Sequence, residues 1–403
     1  MSTALLYHGF GIAGYRHVGQ TFVAGHTMWR IEQPREQLRC SHCGSAEVWT
    51  QGGVERYIRG LPIGQRPTVF QIKVPRVVCL SCGKIRQVKI NFADPKKHYT
   101  RSLARYALEL SRHMTIQDVA DHLQVGWDTI KEIQAQHLQR RFGRPKLGQL
   151  KEIAIDEINI GHGHRYLTMV LNLRSGAVVF VGDGKGTDAL KPFWPRLRRA
   201  RAQVEAVATD MSAAYIRAVR DHLPHAAHVF DHFHVIKLFN DKLSAFRRQL
   251  FHELNGESQR LLKGIRWLLL KNPDNLDETK SERQRLERAL KINQPLATAY
   301  YLKEDLRQIW QQPDKRSARL VLNEWLAQAR ASGIRFLKQF ADTLQAHQEG
   351  ILNYYDHRIS TGPLEGTNNK IKTMQRQAYG FRDTEFFKLK ILGLHESHYA
   401  LVG

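Results

Sequence analysis

Apolar residues in the middle of the chain fall into short runs of strand length. Ile153-Ala154-Ile155 leads into Asp156, and Val204-Glu205-Ala206-Val207-Ala208-Thr209 leads into Asp210. Both runs carry Val, Ile or Ala and read as buried strands. Between them, residues 165–173 and 177–181 flank the turn Arg174-Ser175-Gly176, so strands one, two and three form an antiparallel meander whose first turn is Gly161-His162-Gly163-His164. Residues 187–200 read as a helix bent near Pro192 and Pro195, Ser212 caps a helix through Val219, and His228-Val229-Phe230 is a fifth strand.

Three antiparallel strands, a helix, then alternating strand and helix is the order of a ribonuclease-H-like fold. This is an α/β class with a mixed five-stranded sheet, expected over residues 151–235. In such a sheet strands one and four are neighbours, which sets Asp156 beside Asp210. Two like charges that close ask for a divalent cation. Asp231 and His234 follow strand five. Asp231 reads as a further acidic ligand or a helix cap. His234 reads as a support for the site, a nucleic-acid contact, or a capping or packing residue.

Residues 236–350 repeat apolar positions at helical spacing and read as an all-helical insertion of five or six helices, with turns at Asn272-Pro273-Asp274 and Gln312-Pro313-Asp314. Its aromatic residues, Trp267, Trp310 and Trp325 among them, are expected in the core rather than on a base-stacking surface. The sheet domain should resume over residues 351–403. There Glu365 stands in the first turn of a helix extended by Ile371 and Met374, with Asn368, Asn369 and Lys372 on its face. Asn369 is expected to aid the site, and Lys370 and Lys372 to meet phosphate.

Upstream, residues 98–140 show three helical stretches. Thr115 with Asp118 makes a capping box, Ile116, Val119, Ala120 and Leu123 form a buried face, and Val125-Gly126 makes a turn. A second helix then buries Ile130 and Ile133 and presents Trp127, Asp128, Thr129, Lys131 and Gln134. This is a helix-turn-helix whose second helix fits a major groove, with Trp127, Thr129 and Lys131 as DNA contacts. Arg140, Arg141, Arg144 and Lys146 follow, the last three in a basic linker over residues 141–150. They suit DNA backbone contact, or the linker is inert. Residues 1–30 are rich in Gly, His and aromatics and form a segment of unclear role.

Composition sharpens the picture. The chain has 403 residues, with 61 Lys and Arg against 38 Asp and Glu, a net charge of +23 that favours an extended polyanion as partner. No apolar run is long enough to cross a membrane and no secretion signal is visible, so a cytoplasmic protein is expected. The four cysteines sit in two knuckles, Cys40-Ser41-His42-Cys43-Gly44 and Cys79-Leu80-Ser81-Cys82-Gly83. In a reducing compartment this spacing argues for one structural Zn2+ held by four thiolates in a zinc ribbon over residues 31–92; buried thiols without metal are the alternative.

Several stretches resemble the bacterial insertion-sequence transposases of the ISL-three group: Asp156-Glu157, Thr209-Asp210-Met211 with Tyr215, Phe230-Asp231-His232-Phe233-His234-Val235, and Gly362-Pro363-Leu364-Glu365-Gly366-Thr367-Asn368-Asn369-Lys370-Ile371-Lys372. The double CxxC and the helix-turn-helix are similar to that family's too, so the resemblance covers almost the whole chain. It implies a DDE triad of Asp156, Asp210 and Glu365 acting at the terminal inverted repeats of a mobile element. Glu157, next to Asp156, leaves the first acid open to one alternative, and Asp231 does the same for the second.

Three carboxylates can hold two Mg2+ ions, with Mn2+ as a substitute, for hydrolytic nicking and then attack of the freed 3'-hydroxyl on target DNA. Tyr215 or Tyr379 would be nucleophiles only in a different chemistry, and neither has a visible Arg/His cluster. Two ends brought together imply a homodimer or higher oligomer on double-stranded DNA. The rival readings are a sequence-specific DNA-binding regulator with an inactive core and a ribonuclease-H-like nuclease without strand transfer.

Overall fold

Helix α1 (Thr3–Phe10) and the hairpin of β1 (Arg16–Val23) and β2 (His26–Glu32) open the chain of this computed structural model, which describes residues 3–161, 163 and 165–395. His162 and His164 of the first meander turn lie outside the described residues. The hairpin is joined in one sheet by β3 (Val48–Ile63), β4 (Arg66–Cys79) and β5 (Ile85–Gln87), in the order β1-β2-β4-β3 with β5 on β4. The first thirty residues, unreadable by pattern, therefore supply a helix and most of two of the five strands of this sheet. In β2 the buried residues Thr27, Trp29 and Ile31 alternate with more exposed ones. Trp29 and Ile31 pack with Leu6, Phe10, Ile58, Phe70 and Ile72 in one apolar cluster. Gly60 lies against the Phe70 ring, where a Cβ would come within 2.4 Å of ring carbon.

Three helices follow: α2 (Arg101–Leu110), α3 (Ile116–Leu123) and α4 (Trp127–Phe142). Thr115 and Asp118 cap α3 reciprocally, as the sequence predicts, and Gln124 turns the chain in the left-handed region at φ 49°. Ile116, Val119, Ala120 and Leu123 are buried, as are Ile130 and Ile133. Gln134 departs from expectation. It is buried and donates from Nε2 to Ser111 Oγ at 3.0 Å, because it lies four residues on from Ile130, on the same face. The helix also runs on through Arg140 and Arg141 to buried Phe142, so those two arginines belong to its last turn.

The second sheet is built from β6 (Glu152–Gly161), β7 (Arg165–Asn172), β8 (Val178–Asp183), β9 (Ala206–Thr209) and β10 (Ala227–Phe230). Its order is β10-β9-β6-β7-β8, with β6, β7 and β8 antiparallel and β9 and β10 parallel to β6. Helices α5 (Thr187–Leu190), α6 (Phe193–Arg199) and α7 (Ala213–His222) connect the strands, the first two parted at Pro192. This is the ribonuclease-H-like arrangement. One detail differs: β6 does not end at Asp156 but continues five residues beyond it.

The helical insertion contains α8 (His232–Glu253), α9 (Gly256–Gly264), α10 (Glu282–Ile292), α11 (Gln294–Gln308), α12 (Lys315–Ala331), α13 (Arg335–Ala346) and the short α14 (Gln348–Leu352). Trp325 anchors its core at 2% exposure, donating from Nε1 to Leu302 O at 2.7 Å. Buried Lys303 reaches the carbonyls of Leu269 and Lys271 at 2.7 and 3.2 Å, which satisfies backbone oxygens left open there. Trp267 corrects the expectation of core aromatics, being 65% exposed. Helices α15 (Gly362–Gln377) and α16 (Thr384–Leu392) complete the chain.

Contacts divide the molecule into two units, Met1–Arg144 with Thr373–Lys390, and Pro145–Lys372 with Ile391–Glu396. No described helix is long and apolar enough to cross a membrane.

Candidate active site

Parallel pairing of β6 with β9 matches Ile153 to Val207 and Ala154 to Ala208, and two further steps bring Asp156 level with Asp210. Asp210 leaves β9 and accepts the backbone N–H of Ser212 at 3.0 Å. Burial raises the Asp156 carboxyl above the usual carboxylate range, and the charge of Asp210 pushes the same way. The Glu157 backbone N–H, the charge of His234 and the Asn368 amide, whose Nδ2 lies 3.1 Å from Asp156 Oδ2, oppose that rise.

Neighbouring Glu157 points elsewhere, because successive side chains on a strand alternate faces. Its Oε1 accepts the Tyr215 hydroxyl at 2.7 Å and the Gly186 N–H at 3.0 Å. Tyr215 is 2% exposed, and burial with the adjacent Glu157 drives its hydroxyl pKa strongly upward. A phenol so enclosed and so weakly acidic is unsuited to attack a phosphodiester.

Asp231 sits at the N-cap of α8 but makes no capping bond with its side chain. Instead the buried carboxylate accepts Thr361 Oγ1 at 2.8 Å and contacts His234 Nδ1 at 3.1 Å, both at Oδ2. Burial works against ionisation of Asp231, yet His234 and Thr361 outweigh it and hold the carboxyl below its usual range. Burial likewise lowers His234, but the bond to Asp231 and the charges of Asp156, Asp231 and Asp210 outweigh it and raise the imidazole. The charges of Asp156 and Asp210 thus favour the protonated form of His234.

On α15 the buried positions are Leu364, Thr367, Asn368 and Ile371, a helical stripe. Asn368 is therefore the side chain brought to Asp156. Asn369, expected to aid the site, is rotated to the exposed side. The spacing of apolar residues around Asn368 was the signal that could have selected it. Glu365 is exposed, three residues before Asn368. Among the described residues, only the four cysteines bring three or more metal-ligating groups within 4.8 Å of one another. The structure thus brings Asp156 and Asp210 together and leaves Glu365 outside any cluster of that tightness. Among the described residues, Asn368 Oδ1 and Asp231 Oδ1 are buried without a hydrogen-bond partner. Asn368 Oδ1 and the carboxylates of Asp156 and Asp210 are oxygen donors of the kind a hard divalent cation takes.

The zinc-ribbon cysteines converge from both knuckles. Cys40 Sγ lies 3.7 Å from Cys82 Sγ, and Cys43 Sγ lies 3.5 Å from Cys79 Sγ. Thiolates bonded tetrahedrally to zinc stand about 3.8 Å apart, so the cage has the right size. Gly44 and Gly83 close the two knuckles at φ 80° and 69°, each donating to the carbonyl of the first cysteine at 2.9 Å. Backbone N–H groups of Cys43 and His42 lower the Cys40 thiol to about 6, while the crowding of the other thiols pushes Cys43 up to about 12, as expected of four sulfurs that share one small space.

Of the expected DNA contacts, Trp127 is 44% exposed at the start of α4 and Thr129 is half-buried. Lys131 is not free: it pairs with Asp383 at 2.8 Å and lies over the Trp127 ring. Arg140 pairs with Asp94 at 3.2 Å, and Arg141 lies over Phe142. Arg144, Lys146, Lys370 and Lys372 are exposed.

A sheet of this topology, four converging cysteines and a capped helix-turn-helix define a DNA transposase class, and sequence comparison agrees. A transposase family model, of the ISL3 type with a DDE core, matches residues 153–391. The helix-turn-helix domain of transposase family ISL3 matches residues 88–138, and the zinc-finger of transposases IS204/IS1001/IS1096/IS1165 matches residues 36–82. The chain belongs to the ISL3 family of the DDE transposase superfamily. It is 34% identical over 358 residues to the transposase for insertion sequence element IS1001 of Bordetella parapertussis, covering 88% of each chain. It is also 28% identical over 383 residues to the transposase for insertion sequence element IS1557 of Mycobacterium tuberculosis, covering 88% of this chain and 85% of the relative.

Proposed function

We propose that Asp156, Asp210 and Glu365 form the catalytic triad of a transposase that nicks the ends of its own insertion sequence and transfers the 3'-hydroxyls to target DNA. The observation that carries this reading is the bond from Asn368 on α15 to Asp156 on β6, beside Asp210. It places the helix that bears Glu365 at the paired aspartates, on a sheet that fixes both aspartates in direction. Glu365, three residues from Asn368 on the same helix face, completes the set when its side chain turns inward.

Asp156, Asp210 and Glu365 would hold two Mg2+ or Mn2+ ions, which when bound activate a water or hydroxyl nucleophile and stabilise the leaving 3'-oxygen. Asn368 orients Asp156 and favours its ionised form. His234, held by Asp231, places positive charge beside the aspartates where a scissile phosphate would approach. Tyr215 takes no covalent part. The zinc ribbon and helix-turn-helix find the terminal inverted repeats, and Trp127, Arg144, Lys146, Lys370 and Lys372 are offered as DNA contacts. Lys131, Arg140 and Arg141 join them only by exchanging their present partners for phosphate. Synapsis of two ends calls for a dimer or higher oligomer on the DNA, acting in the cytoplasm.

The test is Mg2+-dependent cleavage and joining of labelled duplexes carrying the element's ends. Wild type is compared with Asp156→Asn, Asp210→Asn and Glu365→Gln proteins that still bind those ends. Loss of nicked and joined products in all three variants supports one site for both steps. Binding without cleavage by wild type in Mg2+ and in Mn2+ supports a DNA-binding regulator instead.

A further inference from the structure

Helix α8 has a second face that the site above does not use. His234 turns toward the aspartates, whereas His232, Phe233, Lys237 and Asn240 line a cleft of about 570 Å3 together with Arg307, Trp310 and Tyr354. The rings of Trp310 and Tyr354 lie 6.0 and 6.2 Å from that of His232, and Phe233 is 48% exposed. The insertion's core aromatics behave differently: Trp325 is sealed and its indole N–H is satisfied. Trp310 Nε1, by contrast, has no hydrogen-bond partner among the described residues, and neither has Asn240 Oδ1. A buried donor and acceptor without partners are costly unless something else completes them. Lys237 and Arg307 are the charged lining groups, and no carboxylate is among the described lining residues; Arg307 also bonds Asn272 and lies 3.9 Å from Glu304, so it meets a phosphate by exchanging those partners. Its volume is in the range of small-ligand sites and is ample for one nucleotide.

Flat aromatic faces, a donor and an acceptor for a base edge, and two cations for a phosphate together describe a nucleotide. We propose that this cleft receives an unpaired nucleobase from the DNA strand engaged at Asp156 and Asp210. The base stacks on Trp310 and Phe233, and Lys237 and Arg307 meet its phosphate. The placement rests on the reading that those aspartates face DNA. His232 and His234 stand two residues apart on α8, so the cleft and the aspartates lie within reach of one short stretch of strand. Taking a base out of the stack next to the scissile phosphate would fix the strand's register.

Full-length protein is irradiated without added Mg2+ in the presence of two probes. One is a short single-stranded oligonucleotide with one 5-iodouracil; the other is an element-end duplex with 5-iodouracil at each terminal position in turn. Cross-linked peptides are identified by mass spectrometry. The expected result is attachment at Phe233, Trp310 or Tyr354 with the single strand and with one position of the duplex. Phe233→Ala, on the helix surface, and Trp310→Ala should each weaken single-strand binding about tenfold. Trp310→Phe should retain most of it, which separates loss of the stack from loss of the fold. Cross-links confined to other regions with both probes, or unchanged single-strand affinity in both alanine variants, would overturn the proposal. The readout needs no cleavage, so absent nicking alongside a labelled cleft would count against the catalytic triad and not against the cleft.

Discussion

Replacing Asn368 by Ala tests how Asp156 is kept ready for a cation. The half-buried Asp156 carboxyl is raised by burial and by Asp210, and Asn368 is one of three groups opposing that rise. A hydrogen bond to a charged group contributes about 1.5–3 kcal/mol, and one pH unit corresponds to about 1.4 kcal/mol. Water entering the vacated space returns part of the loss, so the lower end applies and Asp156 should hold its proton about one pH unit further up. The sign follows from the carboxylate: removing a group that favours the ionised form raises its pKa, so protons compete with the cation over a wider acidic range. The assay is the Mg2+-dependent nicking rate of an end duplex from weakly acidic to weakly alkaline pH. In Asn368→Ala the acid limb should move up by about one pH unit, with the rate largely restored on the alkaline side. An unmoved acid limb in a folded Asn368→Ala protein would refute the reasoning.

Three further outcomes are expected. Cys43→Ser should lower bound zinc, measured by elemental analysis, from one ion per chain to near zero, and should weaken end binding at least tenfold as the two knuckles separate. Tyr215→Phe leaves Glu157 one hydrogen bond short and should cost about 1–3 kcal/mol, seen as a lower midpoint in thermal unfolding, while nicking persists. His228 is lowered from its ordinary 6.5 to about 4 by burial, so its stabilising effect is full above the ordinary value and is lost as pH falls from 6.5 toward 4. That span corresponds to at most about 3 kcal/mol, and His228→Asn should flatten the acid side of a denaturation profile.

The sheet was legible because its strands are buried on both faces and interrupted by turns, so apolar runs and Gly-containing connections mark them directly. Asp156 and Asp210 followed from strand order, and Thr115 with Asp118 from local capping chemistry. The first thirty residues resisted because β1 is largely exposed and β2 is held by Phe70 and Ile72, more than forty positions away. Asn369 was preferred to Asn368 because a one-residue step turns a helical side chain by about 100°, and Leu364, Thr367 and Ile371 settle which of the two faces inward. The Asp231–Thr361 bond spans 130 residues and leaves no local trace. Lys131 and Arg140 have the composition of phosphate ligands, and only the fold reveals that Asp383 and Asp94 hold them.

Neither unit is continuous along the chain, and this bears on synthesis. Thr373–Lys390 closes the unit that begins at the N-terminus, and Ile391–Glu396 returns to the other. A ribosome delivers Asp156 and Asp210 well before the helix of Glu365 and Asn368. An interrupted transcript or a premature stop before α15 leaves Asp231 without Thr361 and Asp156 without Asn368. Under vectorial folding, the proposed site therefore stays incomplete until α15 has been made.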